Sequence, residues 1–133
     1  VPFEWTPEGD GADENDFVYC QDFVFALSPA ARELVGHLID GDGQWLDVTG
    51  VEYSIFRKQK YFDCLDRKSS ELISYDDDIS EIIRPALIGN SIGDANIFGV
   101  PEKPFHNFVS DEVAEIIMSS HLTGATFKPV AIT

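Results

Sequence analysis

Positive charge is scarce in this sequence: nine Lys and Arg stand against 24 Asp and Glu, for a formal net charge of −15 over 133 residues. Nucleic-acid binding runs on cations that neutralise phosphate, so the scarcity argues against a nucleic-acid ligand, and equally against an anionic membrane surface. Cysteine is scarce too. Cys20 and Cys64 form no CxxC pair and no disulfide framework, and read most simply as buried free thiols in a reducing cytosol. No apolar run approaches the ~20 residues of a spanning helix. The opening VPFEWTPEGDG lacks the basic and apolar regions of a signal peptide. The only methionine is Met118, so the chain reads as a fragment or processed form, and a segment ahead of Val1 is left open.

Catalytic signatures are equally thin. There is no glycine loop to cradle phosphate, no GxSxG and no HExxH. Asp10, Asp13, Glu14 and Asp16 lack the order of acids, glycine and terminal Glu that a calcium loop needs. Asp40 and Asp42 sit in Asp-Gly pairs, which are turn chemistry. Asp63 and Asp66, three apart on an expected strand, face opposite sides. His37 and His121 fall near the ends of expected helices, where an imidazolium suits the dipole, and His106 sits in a loop between Phe105 and Phe108. No catalytic residue, metal site or cofactor site is expected.

What is present is a folding sequence, with 44% hydrophobic and 12% aromatic residues, enough for one domain with a real core. Ser28 before Pro29 is an N-cap with proline at the first helical position, and Ala31, Leu34, Val35 and Leu38 make one apolar stripe. Gly41 and Gly43 stop that helix. WLDVTGVEYSIF is strand-like, with Gly50 as a bulge or break. RKQ reads as a hairpin tip and KYFDCLD as the returning strand, with loop or a helical turn over residues 68–80. Pro85 makes EIIRPALIG ambiguous. ANIFGV is a short strand, residues 101–108 a loop, and a second serine-capped helix follows Ser110.

The second helical unit overlays the first after a shift of 82 positions. Phe23 meets Phe105, Leu27 meets Val109, Ser28 meets Ser110 and Glu33 meets Glu115. Ala31, Leu34 and Val35 meet Val113, Ile116 and Ile117, and Trp45 and Val48 meet Phe127 and Val130. Any helix–strand unit packing on a sheet needs such a pattern, so duplication and convergence both stay open. The fold class expected is α+β, a single domain of two helix–strand units on a mainly antiparallel sheet.

Charge is segregated as well as abundant. Asp10, Asp13, Glu14 and Asp16 belong to an acidic, partly extended N-terminal segment (residues 1–22), and Asp76, Asp77 and Asp78 form a second cluster. These seven acids are the candidate partner-binding residues, since a basic protein would be steered toward them. Between the clusters, residues 57–68 hold five of the nine basic residues. A solvated loop is the plain alternative for each run.

The stretches YFDCLDRKSSEL, ANIFGV and FVSDEVAEIIMSSHLTGATFKPV resemble a family of bacterial immunity proteins associated with polymorphic and contact-dependent toxin systems. Its pattern is matched by Leu65-Asp66 with Ser69, Ile97-Phe98, Val109-Ser110-Asp111, Thr123-Gly124 and Phe127-Lys128-Pro129-Val130, and ALSPAARELV resembles its upstream helix. The resemblance covers roughly residues 23–130, within an immunity-type domain at 23–133. Gly99 departs from it, standing where a basic residue is expected. The resemblance implies a cytoplasmic, non-catalytic protein that binds and neutralises a cognate toxin domain, and the charge suits a basic, nuclease-like toxin. The alternatives are an acidic nucleic-acid mimic that inhibits a basic DNA-binding protein, and a small hydrolase.

Overall fold

The computed structural model describes residues 2–7, 15–20, 24–47 and 49–133. In chain order the elements are β1 (Phe3–Pro7), β2 (Phe17–Cys20), β3 (Val24–Leu27), α1 (Pro29–Ile39), β4 (Gly43–Asp47), β5 (Ser54–Lys58), β6 (Glu71–Tyr75) and β7 (Asp78–Arg84). They continue with β8 (Ala86–Leu87), β9 (Ile97–Phe98), β10 (Asn107–Val109), α2 (Asp111–Met118), β11 (Ala125–Pro129) and β12 (Ala131–Ile132). The fold is α+β, and its large sheets are antiparallel.

Eight of the strands form two four-stranded sheets, ordered β2-β3-β5-β4 and β9-β10-β1-β11, and the rest form two two-stranded sheets, the antiparallel β6-β7 and the parallel β8-β12. The expected repeat extends to the register. Leu27 pairs with Ser54 and Ser54 with Asp47 across the first sheet. Val109 pairs with Phe3 and Phe3 with Pro129 across the second. Leu27 to Val109 and Asp47 to Pro129 are both steps of 82 residues. The slot held by β5 in the first unit is filled in the second by β1, from the other end of the sequence. Phe23 and Val48, two residues of the proposed overlay, lie outside the described residues.

Each helix begins as its serine dictates. Ser28 Oγ accepts from the Ala31 amide at 3.1 Å, and Ser110 Oγ from the Val113 amide at 3.3 Å, satisfying N–H groups that a first turn leaves unpaired. α1 buries Ala31, Val35 and Ile39, and α2 buries Val113, Ala114 and Ile117. These stripes meet Trp5, Phe17, Phe25, Leu27 and Phe56 in one core shared by both units. Trp5 of the second sheet stacks on Phe25 of the first at 4.5 Å between ring centroids.

Alternation sends neighbouring residues to opposite faces of the second sheet. Ile97 and Val109 face the shared core, whereas Phe98 and Phe108 face a second cluster with Cys64, Leu65, Ile82 and Leu87. Residues 61–92 supply most of that layer, and it departs from the sequence reading. Arg57 and Lys58 end β5 instead of forming a hairpin tip, and KYFDCLD contributes only the isolated bridges Tyr61 to Gly99 and Leu65 to Leu87. Residues 68–80, expected as loop or a helical turn, contain β6 and the start of β7. Gly50 does break WLDVTGVEYSIF in two, at φ +87°.

Candidate partner-binding surface

The β6–β7 ribbon is built from a short turn and a lopsided hydrophobic pattern. Asp76 and Asp77 hold φ of +50° and +70°, the left-handed conformation that a type I′ two-residue hairpin turn requires at both central positions. Asp tolerates it better than most side chains because its short carboxylate bonds locally. β6 pairs with β7 from Tyr75–Asp78 at the tip to Glu71–Arg84 at the base, with two register shifts along the way. Leu72, Ile79 and Ile82 turn inward onto the Phe98 layer. Ile73, Tyr75 and Ile83 stay 50%, 75% and 47% exposed. No other strand among the described residues pairs with this two-stranded sheet.

Charge on the ribbon is one-sided. Residues 71–84 hold five carboxylates, on Glu71, Asp76, Asp77, Asp78 and Glu81, against the single guanidinium of Arg84. Arg84 lies 3.5 Å from Glu71, with both side chains mostly exposed. At the tip, Asp77, Asp78 and Ile79 border a hollow of about 250 Å³ with Arg67 and Glu102, themselves paired at 3.7 Å. At the base, a larger hollow of about 440 Å³ runs to β1 and β11, its charges mixed: Glu4 and Glu71 against Arg84 and Lys128.

The other candidate acids stand elsewhere. Asp10, Asp13 and Glu14 lie outside the described residues. Asp16 sits just before β2 and is engaged within the fold. Its Oδ1 accepts from Ser28 Oγ at 2.7 Å and its Oδ2 from the Thr123 amide at 3.0 Å.

The basic run is dispersed by the fold. Lys60 pairs with the buried Asp42 at 2.9 Å, whose Oδ2 also accepts from the amides of Asn96 and Ile97. Lys58 is only 1% exposed. Its ammonium donates to the Pro104 carbonyl at 2.6 Å, the His106 carbonyl at 2.9 Å and Asn107 Oδ1, and it faces the Tyr61 ring at 5.3 Å. Burial lowers its pKa to about 7. Sequence reading missed Lys58, and Gly99 is the signal that pointed to it. A Cβ at 99 would come within 2.6 Å of Lys58 Cε, so the lysine that threads past explains why no side chain stands there.

His106 Nδ1 lies 2.6 Å from Glu4 Oε2. His37 is in the last turn of α1 and exposed, and His121 lies three residues beyond α2. Cys64 is a buried free thiol, its pKa pushed up to about 11 by burial. Asp66 accepts from the amides of Lys68 and Ser69 and from Thr133 Oγ1, which holds its carboxyl below the usual range, the Thr133 bond foremost. Among the described residues, no His, Cys, Asp and Glu cluster is arranged to hold a metal ion, and no helix is long and apolar enough to cross a membrane.

A family model described as an immunity protein family (Imm11) matches residues 47–132. That stretch contains the whole β6–β7 ribbon and the second helical unit. No curated protein matches the chain.

Proposed function

The chain belongs to the Imm11 immunity protein family, and from that premise we propose that it binds a cognate toxin domain and neutralises it without catalysis. The family match carries the reading. A net charge of −15 supports a basic toxin, such as a nuclease whose substrate-binding surface is positive, because opposite fields accelerate encounter and select partners. The protein acts in the cytoplasm of the toxin's producer, and needs neither nucleic acid, membrane nor cofactor.

The test is co-production of the chain with the toxin domain encoded by the neighbouring gene. Growth is expected to be restored and the two proteins to purify together. The isolated chain is expected to show no submicromolar affinity for DNA at physiological salt, since few free cations face phosphate. Growth arrest that persists with both proteins present would overturn the reading.

A further inference from the structure

The β6–β7 ribbon combines two features that a fold has no use for in isolation. Its outer face keeps Ile73, Tyr75 and Ile83 in water, although the inner face alone, through Leu72, Ile79 and Ile82, fixes the ribbon to the body. A two-stranded sheet is marginal without a packed face, so selection for stability acts on the inner residues and leaves the outer ones free to be polar. They are instead apolar and aromatic, and five carboxylates surround them.

We infer that this ribbon is the element that seats on the toxin, with Tyr75 and Ile73 as the apolar centre and Asp76, Asp77 and Asp78 as the charged rim facing a basic surface of that partner. The inference rests on the immunity reading. Its chemistry is that of a protein interface: tyrosine supplies large rigid contact area, and a polar rim keeps water from the centre. Charge complementarity selects the occupant. Five acids to one base disfavours a second copy of the same ribbon, because like charges would be brought face to face, and favours a basic domain. The turn geometry positions the rim, since the left-handed Asp76 and Asp77 hold the acids at the ribbon's extremity, next to the most exposed of its large apolar residues.

The experiment uses the full chain and a catalytically inactivated form of the toxin domain encoded by the neighbouring gene. Ile73→Ser with Tyr75→Ala is expected to raise Kd about a hundredfold, mainly through faster dissociation. Asp76→Asn, Asp77→Asn and Asp78→Asn together are expected to slow association about fivefold at low salt and flatten its salt dependence; Asn keeps the left-handed turn. Val51→Ser, an exposed apolar residue outside the ribbon, is expected to change neither rate. Hydrogen exchange of the amides of residues 71–84 in the unmodified chain is expected to slow on binding, a readout independent of variant folding. Tight binding by the wild type with both ribbon variants within threefold of it, and no protection of the ribbon, overturns the inference and leaves the immunity reading standing. Absence of wild-type binding to the toxin removes that reading and the inference with it. A dimer of the isolated chain that Tyr75→Ala dissolves makes a second copy the occupant and also overturns it.

Discussion

Ser110 occupies in the second unit the place that Ser28 holds in the first. Each caps its helix through Oγ, each donates that hydroxyl to the residue just before an outer strand, and each pairs its own amide with that residue's carbonyl. The partners are Asp16 for Ser28, at 2.7 Å, and Asn96 for Ser110, at 2.9 Å. Ser28→Ala and Ser110→Ala are each expected to cost about 1 kcal/mol in denaturant unfolding, with toxin affinity close to wild type. A large loss of affinity at unchanged stability would place Ser110 at the interface.

The two partners differ in chemistry because their other neighbours differ. Asp16 Oδ2 accepts from the Thr123 amide, whereas Asn96 Nδ2 donates to the Leu38 carbonyl at 2.8 Å. Asp16→Asn would set an amide N–H₂ against an N–H, and Asn96→Asp a carboxylate against a carbonyl. Each is expected to destabilise by about 1–2 kcal/mol in chemical denaturation. The change at 96 is expected to cost more, because the Asn96–Leu38 hydrogen bond is partly buried and the Asp16–Thr123 bond is exposed. A neutral result at both would mean that the matched polarity does not matter.

Lys58 makes stability depend on pH in an unusual direction. Its folded pKa of about 7 lies below the unfolded value of 10.5, so between them the unfolded chain holds the extra proton. Stability therefore rises with pH across that window, by a few kcal/mol in order of magnitude, and the full burden of the buried charge is present below pH 7. The ring of Tyr61 faces the ammonium and its own pKa is raised by burial, so the measurement belongs below about pH 9. Subtracting the curve of Lys58→Met from that of the wild type is expected to leave a rising difference from pH 7 to 9. Parallel curves would show that the ammonium is not desolvated in solution.

Gly99 and Gly124 should respond differently to alanine. A Cβ at 124 would meet the Phe17 carbonyl at 2.2 Å, and φ there is +100°, whereas at 99 the nearest atoms belong to the Lys58 and Tyr61 side chains. Gly124→Ala is expected to cost upwards of about 3 kcal/mol and Gly99→Ala about 1–2. Combining Gly99→Ala with Lys58→Ala is expected to cost less than the sum, because the Lys58 Cε and Nζ that crowd a Cβ at 99 are then gone. Strict additivity would contradict the threading of Lys58 past Gly99.

Much of the fold was legible because local signals and tertiary packing agree. Ser28 and Pro29 mark one helix start and Ser110 with Asp111 and Glu112 the other, and the apolar stripes that follow are the ones the core uses. The repeat was legible for the same reason, down to Leu27 against Val109. The ribbon was not. Its turn is Asp76-Asp77, without the glycine that marks most such hairpins, and exposure on both strands leaves little alternation to read. The register shifts disturb that period further. Lys58 was hidden among neighbouring cations, since a run of basic residues carries no sign of which one turns inward. Asp76, Asp77 and Asp78 stood out by charge alone, whereas the exposure of Tyr75 and Ile73 beside them depends on which face of a ribbon meets the body.

The most direct test of the central claim is a titration of toxin activity with this protein. Inhibition by tight, non-catalytic binding predicts a linear fall in activity to zero at one equivalent, with both proteins recovered chemically unchanged when the complex is dissociated. Loss of toxin activity at substoichiometric amounts, or a covalent change in the recovered toxin, would contradict it.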